Sequence, residues 1–303
     1  GHSTMGGDVT GTALTGANNV VVGYGAGYDM EGDASENTLI GSQAGKAITT
    51  GDKNIAIGST ALETNTSSHH NIAIGANALG DINHTSNDGS VAIGGSALAA
   101  KNLSSGSQYD GATVAIGYKA LTALTSGVGN TAVGFEAGLE AQTGDKNVLI
   151  GYEVANNTNT GNLGNSNIYI GYQCAGVGAH EGSSQNNTVI GTNALNGVMN
   201  GASTNSGLGF EVLKDLTQGD NNNAFGAYAL DALTTGGSNV AIGNATGSIM
   251  TTTSDCTLVG VEAGYAMSAA QTTTNGTVAV DLLLLHSLQE QGIRLLVINL
   301  DSL

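Results

Sequence analysis

Carboxylate side chains recur at one fixed position of this 303-residue sequence. Glu136, Glu153, Glu211 and Glu262 each stand two residues after a glycine of a repeated motif. Because glycoside hydrolysis uses paired carboxylates, this position is the first candidate for catalysis. In other copies of the motif it holds Gln43, Asn77, Ser96 and Gln173. Such a mixture of acids, amides and hydroxyls is typical of a solvated turn, and we predict no catalytic residue there.

Histidine and cysteine are too few and too scattered for metal or nucleophilic chemistry. His69 and His70 lie in a polar insertion, which favours a solvated pair over a metal site. Cys174 and Cys256 replace the usual residues of the motif, and the sequence identifies no histidine partner for either thiol. The calcium-binding nonapeptide repeat and the EF-hand loop are absent from the sequence. We therefore expect no metal, no cofactor and no enzymatic activity.

Tyr109 and Asp110 are the candidates for contact with a receptor. They lie in the longest insertion between regular copies of the motif, KNLSSGSQYDGA at residues 101–112. Loops on a rigid scaffold carry recognition more often than the scaffold does. A tyrosine ring packs on apolar sugar faces, and a carboxylate accepts hydrogen bonds from sugar hydroxyls. The alternative is a loop without a contact role.

The composition excludes several classes of protein. The chain has 48 glycines and no proline, with 40% hydrophobic and 10% charged residues. Its hydrophobic content is too high for a disordered chain, and collagen requires proline as well as glycine. Seven basic residues against 24 acidic ones give a net charge of −17, which argues against nucleic acid as a partner. No apolar run reaches the roughly 18 residues of a membrane-spanning helix, so we expect no membrane insertion.

The motif N-x-x-I-G-x-x-A occurs in 14 copies, whose glycines run from Gly23 to Gly260. Seven of the 13 spacings between these glycines equal 17 residues, and the others are longer. Regular examples contain Asn54, Ile57, Gly58 and Ala61; Asn71, Ile74, Gly75 and Ala78; Asn130, Val133, Gly134 and Ala137; and Asn239, Ile242 and Gly243. A minimum period with longer exceptions predicts a coil of 17 residues that tolerates loop insertions.

Each column of the motif has a physical interpretation. The apolar residues before the glycine predict a short strand, and the glycine permits a turn that other residues resist. The alanine predicts close packing, and an asparagine repeated once per coil predicts a ladder of side-chain amides. Seventeen residues cannot bury a core alone, whereas stacked coils can. The sequence therefore predicts an all-β parallel β-solenoid, or β-roll, of about 14 coils.

Both faces of the predicted strands are apolar. The residues one and three before the glycine should point to one side, and the residue two before it to the other. That second side holds mainly alanine, leucine and valine, such as Leu39 and Ala56, where water contact would favour polar residues. A narrow roll has one interior, so we expect a partner to cover the second side, most simply in a homotrimer. The alternative is that the small residues tolerate water or line the chain's own core.

These columns resemble two families of repeat proteins. GSVAIGGSA at residues 89–97 is similar to the head repeat of trimeric autotransporter adhesins. ALDALTTGGSNVAIG at residues 229–243 resembles repeats of bacteriophage tail fibres more closely, and ALTALTSGVGNTAVG at residues 120–134 is a second instance. The resemblance implies a left-handed roll and a homotrimer on a virion or cell surface. The longer period and the lack of a stalk or anchor pattern favour the phage fibre.

The predicted organisation has three parts. Residues 1–17 form an N-terminal segment, residues 18–280 the repeat domain and residues 281–303 a leucine-rich tail that lacks the motif. The tail is either a cap that closes the core or the product of a frame shift. We predict a non-enzymatic fibre segment or head that attaches to a glycan or protein on a cell surface. The alternatives are a bacterial adhesin head and a subunit that stacks end to end into an extracellular filament.

Overall fold

The chain folds as a parallel β-solenoid. A computed structural model describes residues 16–81, 88–100, 112–157, 161–176, 184–264 and 276–280. Among these residues there are strands, turns and bends but no helix. The chain divides into two compact units, one up to Asn156 and one from Asn157 onward, where the sequence predicted a single repeat domain. The predicted tail at 281–303 and residues 1–15 lie outside the described residues.

Every strand has three residues and directly precedes the position of a motif glycine. The first unit contains β1 (Val20–Val22), β2 (Thr38–Ile40), β3 (Ile55–Ile57), β4 (Ile72–Ile74), β5 (Val91–Ile93), β6 (Val114–Ile116), β7 (Thr131–Val133) and β8 (Val148–Ile150). The second contains β9 (Ile168–Ile170), β10 (Thr188–Ile190), β11 (Ser206–Leu208), β12 (Asn223–Phe225), β13 (Val240–Ile242), β14 (Thr257–Val259) and β15 (Val278–Val280). The strand β15 adds one more to the 14 that the motif predicts, although Asp281 replaces its glycine.

Within each unit, consecutive strands pair in parallel and in the register of the motif. In the first unit, Ala56 of β3 pairs with Ala73 of β4, and each later strand continues the same column. Seven turns of the solenoid join β1 to β8, and six join β9 to β15. The predicted all-β parallel solenoid is therefore confirmed, with about 13 turns within the two units.

The middle residue of each strand points into the coil, which corrects the prediction from sequence. Leu39, Ala56 and Ala132 are fully buried, whereas their neighbours on the same strands are half-buried or exposed. The alanine column therefore lines the chain's own core and does not face a partner. Successive residues of a strand point to opposite sides, and both sides are apolar here, so the pattern did not show which side faces the coil interior. The buried column holds residues from alanine to Tyr169, so side-chain size does not set the direction.

The residue three after each motif glycine is buried, and in ten of the 14 copies it is alanine, in agreement with the predicted close packing. Ala61, Ala78 and Ala137 are fully buried. Leucines one residue further on, such as Leu62 and Leu79, complete the core from backbone positions with positive φ. Such conformations cost leucine about 1–2 kcal/mol, so the packing of these side chains must hold the turn in place.

The motif glycine is required by the approach of the next coil. Gly58 has a φ of +138°, and a β-carbon placed on it would lie 2.5 Å from the carbonyl oxygen of Gly75. Gly75 and Gly134 have the same conformation, and their β-carbons would meet the backbone of Gly94 and Gly151. Glycine is thus fixed at this column by close backbone contact as well as by conformation.

The asparagine column forms a buried ladder, as predicted. Asn54 donates from Nδ2 to Oδ1 of Asn37 at 3.1 Å and to the carbonyl oxygen of Ser68 at 2.9 Å. The same Oδ1 of Asn37 accepts the backbone N–H of Asn54 at 2.9 Å. Each amide thus ties its own coil to the coils on both sides. Ser90 replaces the asparagine of one coil, and its backbone N–H still donates to Oδ1 of Asn71 at 2.9 Å. Nδ2 of Asn71 is buried and has no hydrogen-bond partner among the described residues.

Candidate functional site

The two outward residues of each strand form the main exposed apolar surface of each unit. We call the first and third residues of β1–β15 the outer strand face. Among its exposed side chains the exposed fraction runs from 36% in Ile57 to 55% in Val22, whereas others, such as Ile72 and Ile74, are half-buried. Isoleucine, valine and leucine at such positions leave apolar surface in water, which costs about 25 cal/mol of free energy for each Å². A contiguous exposed stripe of this kind is typical of an interaction surface.

No charged residue occupies the outer strand face. Its residues are apolar or are serine, threonine or asparagine, although the whole chain carries a net charge of −17. The acidic side chains stand instead in the turns and corners of the coils. Two strongly acidic chains can therefore meet through this face without bringing like charges into contact.

An aromatic column runs beside the strands of the first unit. Tyr118, Phe135 and Tyr152 each follow a motif glycine, and their ring centroids lie 5.5 Å and 5.0 Å apart along the column. The planes of Phe135 and Tyr152 differ by only 8°. Because each ring covers the face of the next, the middle ring offers its edge to solvent, which disfavours stacking of a sugar on it. The motif did not reveal this column, although the 17-residue spacing of the three aromatics could have.

Acidic side chains at one corner bind the backbone of the preceding coil. A carboxylate oxygen of Asp52 accepts the N–H of Ser35 at 2.7 Å, and that of Asp145 accepts the N–H of Val128 at 2.9 Å. Asp220 does the same for Ser203 at 2.7 Å. Asp52 and Asp145 stand in two GDKN turns, and both act as hydrogen-bond acceptors between coils.

His69 belongs to this same corner. Its Nδ1 accepts the backbone N–H of Asp52 at 2.9 Å, and its own N–H donates to Asp88 at 2.6 Å. His70 lies beside it, with ring centroids 6.4 Å apart. His69 therefore links the backbone of two neighbouring coils through hydrogen bonds.

The glutamate column lies in turns of positive φ, in agreement with the interpretation as a turn. Glu136 and Glu153 occupy consecutive coils with φ of 53° and 51°, and both are half-buried. Glu211 pairs with Lys214 at 3.0 Å, and this hydrogen bond raises the pKa of the lysine. No three His, Cys, Asp or Glu side chains gather as metal ligands among the residues that the structure describes.

The two cysteines are separate and buried. Burial raises the pKa of the Cys174 thiol to about 12 and also raises that of Cys256. Next to Cys174, burial also raises the pKa of the Tyr169 hydroxyl, which is fully enclosed in the second unit. A thiol with a raised pKa is a poor nucleophile, so both cysteines act as packing residues.

The candidate receptor contacts Tyr109 and Asp110 lie outside the described residues, and their contact role stays a prediction. None of the residues that the structure describes forms a helix long and apolar enough to cross a membrane. The sequence matches no protein-family model, and no curated protein or solved structure is significantly similar to it.

Proposed function

We propose that this protein is a non-enzymatic, self-associating rod that attaches to a cell surface. In this proposal three copies associate as a homotrimer and form a fibre segment or head of a phage tail fibre, on the virion or at a cell surface. The observation that carries the proposal is the outer strand face, which is mainly apolar, carries no charge and is half-buried or exposed in both units.

The repeat itself favours a second copy of the chain as the partner. Outward side chains on this face recur with every strand, at a spacing of about 4.8 Å. A partner that covers many strands must present side chains at the same spacing, and another copy of the solenoid does so. The left-handed sense of the coil and the trimeric state follow from the resemblance of the motif to tail-fibre and adhesin repeats.

Attachment is assigned to the loop at the longest insertion. Tyr109 and Asp110 there offer an aromatic face and a hydrogen-bond acceptor to a glycan or protein receptor. The rigid coil holds such a loop at a fixed position. A bacterial adhesin head would use the same arrangement, and binding to cells separates both from a purely structural filament.

Binding of the fluorescently labelled full chain to a panel of intact bacterial cells tests attachment. We expect saturable binding to some strains, reduced at least about ten-fold, or 1.4 kcal/mol, by the double substitution Tyr109→Ala and Asp110→Ala. The matched control is Tyr28→Ala with Asp29→Ala, because the same Tyr-Asp pair occurs there in a regular coil, with Tyr28 exposed. Equal losses of binding in both variants would contradict the assignment of attachment to Tyr109 and Asp110. If the chain bound to none of the strains, attachment would be contradicted, and the purely structural filament would be the remaining alternative.

A further inference from the structure

The aromatic column of the first unit ends at Tyr118. One face of this ring packs on Phe135, with 5.5 Å between the ring centroids and 23° between the ring planes. The preceding coil carries Gly95 at the same position, directly after its motif glycine. A β-carbon placed on Gly95 would lie 3.4 Å from Cδ2 of Tyr118 and 3.7 Å from its Cε2. Because glycine has no side chain, it leaves uncovered the part of the Tyr118 ring that a larger residue would cover.

Tyr118 therefore differs from the ring in the middle of the column. Phe135 has an aromatic neighbour on each side, Tyr118 at 5.5 Å and Tyr152 at 5.0 Å. Tyr118 has one such neighbour, and it is exposed. An aromatic ring with an open face can receive the apolar C–H face of a sugar ring. Tyr118 is thus the ring of this column that is suited to a ligand.

Lys119 places a positive charge beside this ring. Its Nζ lies 5.2 Å from the ring centroid of Tyr118. Among the residues that the structure describes, no carboxylate forms an ion pair with Lys119, although the chain has 24 acidic residues and only seven basic ones. Even Glu136, at the same position of the next coil, does not pair with it. The ammonium is therefore available to an anionic ligand, and its flexible side chain can follow such a ligand.

Ser96 adds a hydroxyl group in the coil that precedes Tyr118. It takes the position of Lys119 in that coil, and the backbone N–H of Lys119 donates to the carbonyl oxygen of Gly95 at 2.9 Å. Ser96 is half-buried, and Asn77 takes the same position one coil further away. Both residues are uncharged, so an anion that approaches Tyr118 over these coils meets no carboxylate at this position.

We propose that Tyr118, Lys119 and Ser96 form a binding site for a sugar that carries a carboxylate, such as a uronic acid of a surface polysaccharide. This inference deepens the attachment proposed above and rests on it. The apolar face of the sugar packs on the open face of Tyr118, its carboxylate pairs with the ammonium of Lys119, and a hydroxyl bonds to Ser96. A neutral sugar would leave the ammonium unpaired, and a small anion would not cover the ring.

Saturation-transfer NMR on the full chain tests this site with two saccharides. The probes are trigalacturonic acid and its methyl ester, which is the same saccharide without charge. We expect the acid to bind, with the largest transfer to its ring C–H protons, and the ester to bind at least about ten-fold more weakly. Lys119→Gln should weaken binding of the acid to the level of the ester and leave binding of the ester unchanged.

Two further substitutions test the open ring face. Tyr118→Ala removes the ring, and Gly95→Leu covers it, because a β-carbon at position 95 already reaches contact distance of Tyr118. Both variants should bind the acid at least about ten-fold more weakly than the unchanged chain. Tyr152→Ala, at the other end of the three stacked rings, is the matched control and should keep binding of the acid. Circular dichroism checks that all four variants are folded.

Three outcomes would contradict this inference. Equal losses in Tyr118→Ala and Tyr152→Ala, or equal binding of the acid and the ester to the unchanged chain, would overturn the site. If neither saccharide bound to a chain that does bind intact cells, this site alone would be wrong. A chain that binds no cells would instead contradict the proposed attachment on which the inference rests.

Discussion

The inner and outer sides of one strand carry similar residues in opposite surroundings. In β8, Leu149 is fully buried in the coil, whereas Ile150 beside it is 37% exposed. Hydrophobic alternation therefore does not tell which side of a strand is inside. Leu149 and Ile150 are alike in size and polarity, so the path of the coil and not side-chain size decides which of them is enclosed. The outer side can be buried only by a partner, which we propose is another copy of the chain.

Truncation of one residue on each side of β8 should show the largest difference between the inner and the outer side. Leu149→Ala should lower the free energy of unfolding by about 2–5 kcal/mol, because it leaves a cavity in the coil. Ile150→Ala should cost less, about 1 kcal/mol, since its side chain is partly in water within one chain. Urea denaturation monitored by circular dichroism measures both values.

The dependence of stability on protein concentration also distinguishes the inner side of the strand from the outer side. The loss in Leu149→Ala should be the same at every concentration, because the contact is within one chain. The loss in Ile150→Ala should depend on concentration, because stability that comes from association does. Identical concentration dependence in both variants would contradict the assignment of the outer strand face to association.

Breaking the asparagine ladder should have the next largest effect. Asn205 donates to Oδ1 of Asn187 at 3.0 Å and to the carbonyl oxygen of Gly219 at 2.9 Å, and it accepts from Asn222. Asn205→Ala leaves these buried groups unpaired and should cost about 3 kcal/mol. The matched control is Asn244→Ala, at an exposed position where other coils carry Ala76 and Ala227. The control should change stability by less than about 0.5 kcal/mol; equal losses would show that the ladder contributes little.

The smallest effect concerns alkaline pH and the core of the second unit. The Cys174 thiol has a pKa raised from 9.0 to about 12 by burial. The unfolded chain therefore loses this proton first, and stability should fall as pH rises from 9 toward 12. Cys174→Ala should remove this part of the decline, in thermal melts recorded at successive pH values. A decline of the same slope in that variant would assign it to other groups, such as Tyr169.

The sequence was sufficient to predict the regular parts of the fold. Strands, motif glycines, the asparagine ladder and the buried alanine after each glycine all repeat at one period, so 14 copies reinforce each other. The middle residues of the strands were wrongly predicted to face a partner. Both sides of each strand are apolar, so the pattern did not show which side faces the coil interior. The strand β15 lies within the predicted repeat domain at residues 18–280, although Asp281 replaces the glycine that should follow it. The hydrogen bonds of the aspartates were not predicted, because these residues lie outside the columns of the motif.

The candidate site was predictable only in part. The expectation that an apolar strand face needs a partner came from the sequence, but the residues that form that face, Ile57 and Ile242 among them, required the structure. The aromatic column beside β6, β7 and β8 depends on rings in consecutive coils, which single copies of the motif do not reveal.

The absolute mass of the full chain in solution tests the central claim most directly. Light scattering behind a sizing column should give three times the 30.0 kDa of one chain. Ile57→Asp with Ile74→Asp, which places charges on the outer strand face of adjacent strands, should reduce the mass to that of one chain without unfolding the coil. A wild-type mass of 30.0 kDa that does not rise with concentration would contradict the claim that the outer strand face joins copies of this protein.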